Sequence, residues 1–561
     1  MCGIIAAARR RHDRPAPDAA TVLDLVAGTP ALIDGAATGG DPRKALESAA
    51  SRLAEADGLL RGTAGVRALI GSSDLVAGLE RALVDVDESL ARLDARLDDL
   101  LSDQGTADQE AINAALVGVR DGAWAIGRDR LRTARSVAAL AGPGAGGAAL
   151  DAMTSVQLAL SALDRLEVRG RDSAGLSLLV TGHDLDLSSP GVASSLAERG
   201  ADPTYPSGSV RVDGDALSFV YKAAAEIGEL GDNTARLRAE ITADDLLRRA
   251  LAGPDAEVMV LGHTRWASVG IISEPNAHPI NSDELEASPA IVQPPYVVAA
   301  LNGDVDNHAD LRVEHQLRIH GQITTDSKVI PALMARHAAT AADEVEAFRR
   351  TVAASEGSVA IGAVSAAHPD RLLLALRGSG QGVYVGLGDD CFIAASEPYG
   401  VVEEADRYLR LDGEHGGEIL VLGSELAGEP GGVRRIGYDG RELPIAEHEW
   451  ITAPITTRDI DRGTATHFLL KEIGEAPRSF AKTLRGKIVE HDGRLTADVG
   501  DVTLPPEIAA RLASGAIDKV RVIGQGTAAV AGQGAAALID EMCAGALDVD
   551  AIVATELSGF G

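Results

Sequence analysis

The spacing of apolar and polar residues changes character along this 561-residue chain, and each change predicts a different element. Residues 3–9, Gly-Ile-Ile-Ala-Ala-Ala-Arg, are a short continuous apolar run and predict a buried strand. From about 17 to 150 the β-branched runs almost vanish, and Ala, Leu, Asp and Arg dominate. There Leu79, Leu83, Val86, Leu90, Leu93, Leu97 and Leu100 recur at alternating spacings of four and three, with charges between them, which is a heptad seam. A polar break follows at residues 102–105, and Thr106 with Gln109 has the spacing of a capping box. Ile112, Leu116, Val119, Ala123 and Ile126 then repeat the seam. The pattern predicts two long helices packed antiparallel as a coiled-coil-like hairpin, either a docking or oligomerisation arm or an inert insertion. The Gly- and Ala-rich residues 137–149 predict a flexible hinge, with helix resuming over about 150–167.

From 174 onward short β runs appear: 175–180, 217–222, 257–264, 296–302, 357–365, 371–376, 382–387, 391–396 and 417–422. Many are apolar on both faces, as expected of sheets covered by helices. Between Thr264 and Pro279 the chain reads as loop, with polar residues that have no evident core role. Residues 439–466 are polar and turn-rich, and a helix is predicted at about 466–486. The last segment predicts a strand at 519–523, a Gly-rich turn, a helix at about 527–543 and a strand at 550–554. A single βαβ unit does not close a sheet core, so this segment is expected to open a domain that continues outside the sequence.

Composition narrows the function classes. A formal charge of −31 repels phosphate backbones and disfavours nucleic acid as a partner. No run of about 18 uninterrupted apolar residues suggests a membrane span, and the start carries no secretory pattern, so a cytoplasmic protein is expected. Cys2, Cys391 and Cys543 lie far apart, without CxxC or zinc spacing, so neither a disulfide framework nor a structural metal site is expected. Cys391 and Cys543 read as small buried hydrophobes.

Cys2 directly follows the initiator Met1. Removal of Met1 would leave a thiol beside a free α-amine that titrates at about 7.7–8.0, so nucleophile and base would be one residue. Further segments add to this: Arg-Gly-Arg-Asp-Ser-Ala-Gly at 169–175, Gly-His-Thr-Arg-Trp-Ala-Ser at 262–268, Glu-Pro-Asn-Ala-His-Pro at 274–279, Leu-Asn-Gly-Asp-Val-Asp-Asn-His at 301–308 and Thr-Thr-Asp-Ser at 324–327. With Cys-Gly-Ile-Ile at the start, these resemble the class II glutamine amidotransferases, and in combination the glutamine–fructose-6-phosphate amidotransferases. The resemblance covers residues 2–9, about 150–425 and about 466–561.

The resemblance implies a four-layer αββα N-terminal-nucleophile (Ntn) hydrolase sandwich, interrupted by the helical insertion and followed by the start of a doubly wound α/β sugar-isomerase (SIS) domain. The expected divisions are 2–16 with 150–440, 17–149, a linker and joining helix over 441–515, and 516–561. Glutamine needs a cation for its carboxylate and an anion for its ammonium; Arg265 and Asp326 stand at the matching positions. Asn302 and Gly303 match the oxyanion donors. Trp266 matches a residue that gates an ammonia channel, with ordinary core packing as the alternative. Arg169 and His278 match positions that shape the pocket, and for His278 a structural role weighs equally; Ser268, which keeps a hydroxyl, is a candidate glutamine contact. Departures are Ser268-Val269 where the family has Thr-His, and Leu301 where it has His. Residues 520–527 resemble a first strand and phosphate loop, with Gly526 and Thr527 as sugar-phosphate contacts and Ala528 where the family has Ser; a nucleotide fingerprint over Gly524, Gly526 and Ala529 is the weaker reading. The implied activity is glutamine hydrolysis feeding ammonia to a fructose-6-phosphate-like acceptor, to make glucosamine 6-phosphate, without cofactor or metal, in a homodimer. The alternatives are another acceptor, or a non-catalytic sugar-phosphate sensor or scaffold.

Overall fold

The computed structural model describes residues 2–560 except 12–13, 39–40, 103–105, 225–228, 286–293, 379, 415, 464, 485–486, 492–493 and 498. The polar break expected at 102–105 therefore lies largely outside the described residues. After β1 (Gly3–Arg9) come nine helices: α1 (Ala19–Ala27), α2 (Thr29–Thr38), α3 (Pro42–Leu60), α4 (Gly62–Gly71), α5 (Ser73–Asp94), α6 (Leu97–Ser102), α7 (Thr106–Trp124), α8 (Leu131–Ala141) and α9 (Gly147–Leu166). Then follow β2 (Ser173–Thr181), α10 (Pro190–Gly200), β3 (Val210–Asp213), β4 (Ala216–Ala224), α11 (Asp232–Ala243), α12 (Asp245–Ala250), β5 (Glu257–Arg265), β6 (Ile280–Asn281) and β7 (Val297–Gly303). Next are α13 (His308–Glu314), α14 (Val329–Ala338), α15 (Glu344–Ala354), β8 (Val359–Ser365), β9 (Arg371–Arg377), β10 (Tyr384–Leu387), β11 (Cys391–Ala395), β12 (Arg407–Arg410), β13 (Glu418–Gly423), β14 (Val433–Gly437), β15 (Trp450–Thr452) and α16 (Thr457–Ile460). The chain divides into two compact units, Met1–Asp94 with Ala114–Thr464, and Ala95–Asn113 with Ala465–Gly561.

The first unit contains two antiparallel sheets. One has nine strands in the order β15-β12-β10-β11-β1-β5-β2-β4-β3, the other six in the order β14-β13-β9-β8-β7-β6. The period-two rule of a strand sorts β1 into two cores: Ile4, Ala6 and Ala8 enter the core shared with Val298 and Ala300 of β7, whereas Ile5 and Ala7 pack with Val156, Leu160 and Leu163 of α9. On the far side of the second sheet, Val297, Ala299 and Leu301 pack with Ile330, Leu333 and Met334 of α14 and Phe348 of α15. Helix, sheet, sheet and helix thus stack in the expected αββα order. Helix α9 is buried on most of its surface, Thr154, Ser155 and Gln157 included.

The hairpin expectation needs correction. Helix α5 packs against α1 and α2, and these against α3, so the heptad seam serves a multi-helix bundle rather than an isolated pair. The four-three spacing is the same for both, because any helix with one covered face shows it. Helices approach closely where side chains vanish: a Cβ at Gly78 would sit 2.6 Å from Leu23, and one at Gly122 2.6 Å from Leu53. A π-helical turn, Ala125–Arg130, joins α7 to α8. The hinge is shorter than its composition suggests. Val137, Leu140 and Ala141 stay helical and buried, and only 142–146 turn, with Gly142 and Gly144 at φ +78° and +76°. The expected absence of any span-like stretch is also qualified. Ala19–Thr38 is long and apolar enough by composition, but it breaks into α1 and α2 at Gly28, and Val22, Val26 and Ile33 are buried.

Ion pairs fasten the bundle to the sandwich. Arg130 is fully enclosed; its Nε donates to Asp57 (2.8 Å), its Nη1 to Glu404 (2.5 Å) and its Nη2 to the Glu403 carbonyl. Thr63 donates to Asp390 from both backbone and hydroxyl, Gly62 to Glu404, and Thr133 to Glu403. Glu403 in turn accepts from Arg165 of α9 at 2.7 Å. Residues 441–464 do not form a free linker. Strand β15 pairs with β12, and the Thr457 hydroxyl donates to Asp129.

The second unit includes α6, part of α7, and α17 (Phe468–Leu484), β16 (Ile488–His491), β17 (Arg494–Ala497), α18 (Gly500–Thr503), α19 (Pro506–Ala513), β18 (Lys519–Gly524), α20 (Thr527–Cys543), β19 (Asp548–Val553) and α21 (Ala554–Phe560). Strands β18 and β19 pair in parallel, with α20 as the crossover, the elementary unit of a doubly wound fold. Cys543, expected to be buried, is half-exposed at the end of α20, whereas Cys391 is fully buried in β11.

Candidate active site

The two sheets bring the start of β1 and the end of β7 together. Gly3 pairs with Thr264 of β5, which sets Cys2 beside Arg265 and Trp266. From the facing sheet, Asn302 reaches across, and its Oδ1 accepts from the Cys2 nitrogen at 3.2 Å. The half-buried thiol lies 3.3 Å from the Trp266 nitrogen and 3.4 Å from its carbonyl oxygen. Burial pushes the Cys2 thiol above its ordinary pKa; the Trp266 backbone bond, the chain-terminal charge and Arg265 oppose this, and Asp304 reinforces it. The thiol is therefore protonated at rest and needs a base to react.

Asn302 is buried, and its Nδ2 also donates weakly to Ser396 Oγ (3.3 Å), which receives the Ile4 N–H at 2.9 Å. Ser396 ends the predicted strand 391–396 and carried no signal as a site residue. Gly303 has φ +113°, and a Cβ there would stand 2.0 Å from the Ser358 carbonyl oxygen. Only glycine fits this backbone.

Arg265, 3% exposed, donates to the carbonyls of Ile271 (3.3 Å) and Val269. Two of its five N–H groups are so occupied, which leaves others for a carboxylate fork. Burial lowers its pKa, while Cys2, Asp326 and Asp172 pull it back up. Asp326 is buried and accepts the Val305 N–H at 2.8 Å; burial, with Asp304 adding to it, raises its pKa. Ser268 donates to Asp304 at 2.6 Å, and Ala267 N–H to Asp172 at 2.7 Å. Asp172 and Asp304 lie inside the motifs but were not singled out from sequence. The result is one guanidinium with carboxylates in its surroundings, the charge pattern that an α-amino acid needs.

Trp266 is 60% exposed, so core packing is not its role. His278 is enclosed and engaged on both ring nitrogens: Nδ1 accepts from Leu301 N–H (3.3 Å), and Nε2 faces Ser327 Oγ (2.8 Å). Burial, with His263 stacked 4.4 Å away, holds its pKa well below the ordinary value, so the ring is neutral. These contacts make it a brace between β7 and Thr325–Ser327. Arg169 pairs with Glu397 rather than projecting free. Gly526 and Thr527 lie in the second unit. Gly526 (φ +59°) caps the exposed start of α20, and a Cβ at Gly524 would meet the Ala528 backbone at 2.7 Å. Asp540 and Glu541 fall inside α20, where a ribose contact of a nucleotide fold does not occur.

A second polar group lies in the sheet interface. Lys222 of β4 is fully buried, its Nζ has no hydrogen-bond partner among the described residues, and it lies 4.8 Å over the Tyr205 ring. Burial, with Lys328 adding to it, depresses its pKa well below 10.5. The folded state thus binds fewer protons than the unfolded one, and stability rises as pH climbs through the window up to 10.5. Lys222→Met is expected to remove that slope and to stabilise the protein by about 1–3 kcal/mol at neutral pH, read by urea denaturation across pH.

No family model matches the chain. Among curated proteins, the glutamine–fructose-6-phosphate aminotransferase [isomerizing] of Bacillus cereus (strain ATCC 10987) is 27% identical over 342 residues, 61% of this chain and 44% of its own. The enzyme of that name from Pseudomonas syringae pv. tomato is 32% identical over 250 residues, 44% of this chain and 36% of its own. The Streptococcus pneumoniae (strain ATCC BAA-255 / R6) enzyme is 24% identical over 69% of this chain. The chain is similar to these aminotransferases over part of its length. It spans about half the length of the curated relatives it matches. Among solved structures, glutamine phosphoribosylpyrophosphate amidotransferase of Bacillus subtilis, complexed with ADP and GMP, aligns at 18% identity and TM-score 0.32 over 51% of this chain and 47% of its own.

Proposed function

We propose that this chain hydrolyses glutamine with Cys2 as nucleophile and delivers the ammonia to a sugar-phosphate acceptor. The observation that carries this reading is the contact across the sheets: the Cys2 nitrogen on Asn302 Oδ1, with Arg265 beside the thiol. After removal of Met1, the neutral α-amine takes the Cys2 proton, directly or through water, and Asn302 Oδ1 fixes where that amine stands. The thiolate then attacks the side-chain amide carbon of glutamine. The carbonyl π pair moves to oxygen, and Asn302 Nδ2 with the Gly303 N–H stabilises the oxyanion. Collapse expels ammonia, which leaves with the proton held by the amine. Water, deprotonated by the same amine, attacks the γ-glutamyl thioester and releases glutamate and the free thiol. Arg265 binds the substrate carboxylate and Asp326 its ammonium, with Ser268 and the exposed Trp266 at the mouth.

The acceptor is a fructose-6-phosphate-like ketose phosphate, giving glucosamine 6-phosphate. Its phosphate is assigned to the N–H groups opening α20 at Gly526 and Thr527. The reading places the protein in the cytoplasm as a homodimer. It is tested by intact-mass measurement followed by labelling with a diazoketone analogue of glutamine. The expected product is one adduct, on residue 2 of a chain lacking Met1; an adduct elsewhere, or none on the processed chain, overturns it. Asn302→Ala is expected to lower kcat for glutamine hydrolysis by about 10²–10³ with a smaller change in KM, because the lost donor acts on charge that develops in the transition state.

A further inference from the structure

At the other end of β1 from Cys2, a cavity of about 150 Å³ opens where α4 of the helical bundle meets β1, β5 and α9. Arg9, Arg10, Arg11 and Arg67 line it, against two carboxylates among its lining residues, Asp151 and Glu257. We propose that this cavity binds a phosphate-class oxyanion.

Four guanidinium groups converge on one small cavity in a chain of formal charge −31. Each arginine has a carboxylate partner: Arg9 with Asp390, Arg10 with Glu429, Arg11 with Asp255 and Glu257, and Arg67 with Asp151. These partners do not exhaust the donors, because a guanidinium carries five N–H groups. Arg9, 9% exposed, spends Nε on Ser155 (3.0 Å) and Nη1 on Asp390, and its Nη2 has no hydrogen-bond partner among the described residues. Arg10 Nε is buried and likewise has no hydrogen-bond partner among the described residues. Arg67 spends Nε (2.9 Å) and Nη2 on Asp151, which leaves Nη1. Buried N–H groups without acceptors cost free energy, and a compact tetrahedral anion with several acceptor oxygens satisfies donors converging from different elements. The lining also crosses the seam, Arg67 from the bundle and Arg9, Asp151 and Ser155 from the sandwich, so a bound anion ties the two together. None of this depends on Cys2 or on glutamine.

The test titrates the full chain with inorganic phosphate at constant ionic strength, by calorimetry and by thermal unfolding. The expected result is saturable binding with a rise in melting temperature. Arg67→Ala weakens it about tenfold or more, with Arg67→Lys between the two, since a lysine keeps charge but not the fork. Arg67 is 40% exposed on its side chain, and its variants are checked for fold by circular dichroism; should they unfold, Arg11→Ala, whose side chain is 49% exposed, replaces them. Arg92→Ala, an exposed pair with Asp34 elsewhere on the bundle, leaves affinity unchanged. A second arm uses glucose 6-phosphate. Tighter binding than phosphate identifies a phosphomonoester as the source and weaker binding the free ion, and both support the site. Absence of saturable binding, or equal affinity in Arg67→Ala, overturns it.

Discussion

Cys2→Ala is expected to abolish glutamine hydrolysis, with a fall of at least about 10³-fold in kcat, while the melting temperature changes little. The side chain is half-buried, and its polar contacts are to the Trp266 backbone alone, so truncation removes little packing. Chemically it removes everything, because no other described thiol is placed to substitute. Cys391 is fully buried in β11 with its pKa pushed above the ordinary thiol range, and Cys543 belongs to the other unit. Cys2→Ser is expected to lie near the alanine variant, since a hydroxyl is a far poorer acid for the same amine to deprotonate. The measurement is glutamate release by the purified chain under single-turnover conditions. Activity within tenfold of the parent in Cys2→Ala would sink the assignment.

The second large effect is on stability. Arg130→Met is expected to destabilise the first unit by about 3–5 kcal/mol, read as a lower urea midpoint at constant m-value, because it leaves Glu404 a buried carboxylate without its cation and Asp57 with Arg61 alone. Both are at most 4% exposed. The effect has a predictable pH signature. Arg130 and Arg61 hold Asp57 below its ordinary pKa against the burial penalty. That carboxylate contributes stability above the unfolded value of 3.8, and the contribution is lost as pH falls below it. The penalty of Arg130→Met should therefore shrink as the pH is lowered through about 4 and the stranded acid protonates. Nearby Asp129 is different. Burial first, then Glu403, raises it to about 7, so its proton favours the folded state fully below the unfolded value of 3.8, and that contribution is lost as pH rises from there to about 7. A loss under 1 kcal/mol in Arg130→Met would show that the seam relaxes around the missing guanidinium.

Much of the site was legible before any fold was known. Cys2, Arg265, Asn302, Gly303 and Asp326 carry chemistry that an amino-acid hydrolase requires, and they sit in short motifs whose residue types are hard to explain by packing. Asp172 and Asp304 were written in the same motifs, but an aspartate in a loop is ordinary until its neighbours are known. Ser396 was invisible, because a serine at a strand end has many explanations and only the meeting of β1 with β7 gives it Ile4 and Asn302 as partners. His278 shows the converse. Its motif made it look like a pocket residue, and only its two occupied ring nitrogens reveal a brace.

The helices between 19 and 141 mark the boundary most clearly. Their existence, and the apolar face of α5, follow from residue type and a spacing of three and four, which are local properties of the chain. Which face meets which is not local: the same seam suits a hairpin or a bundle, and the choice fell to α1, α2 and α3, which present covered faces of their own, and to glycines at 78 and 122 that let backbones approach. Strand identity along β1, β5 and β7 is likewise written in their apolar runs, whereas the pairing that sets Cys2 against Asn302 spans 300 residues and arises only when two sheets stack. Local spacing thus determined the elements and the reactive residue types of this protein. Tertiary packing decided their partners, because contact between distant segments depends on the shape left over once every other face is buried.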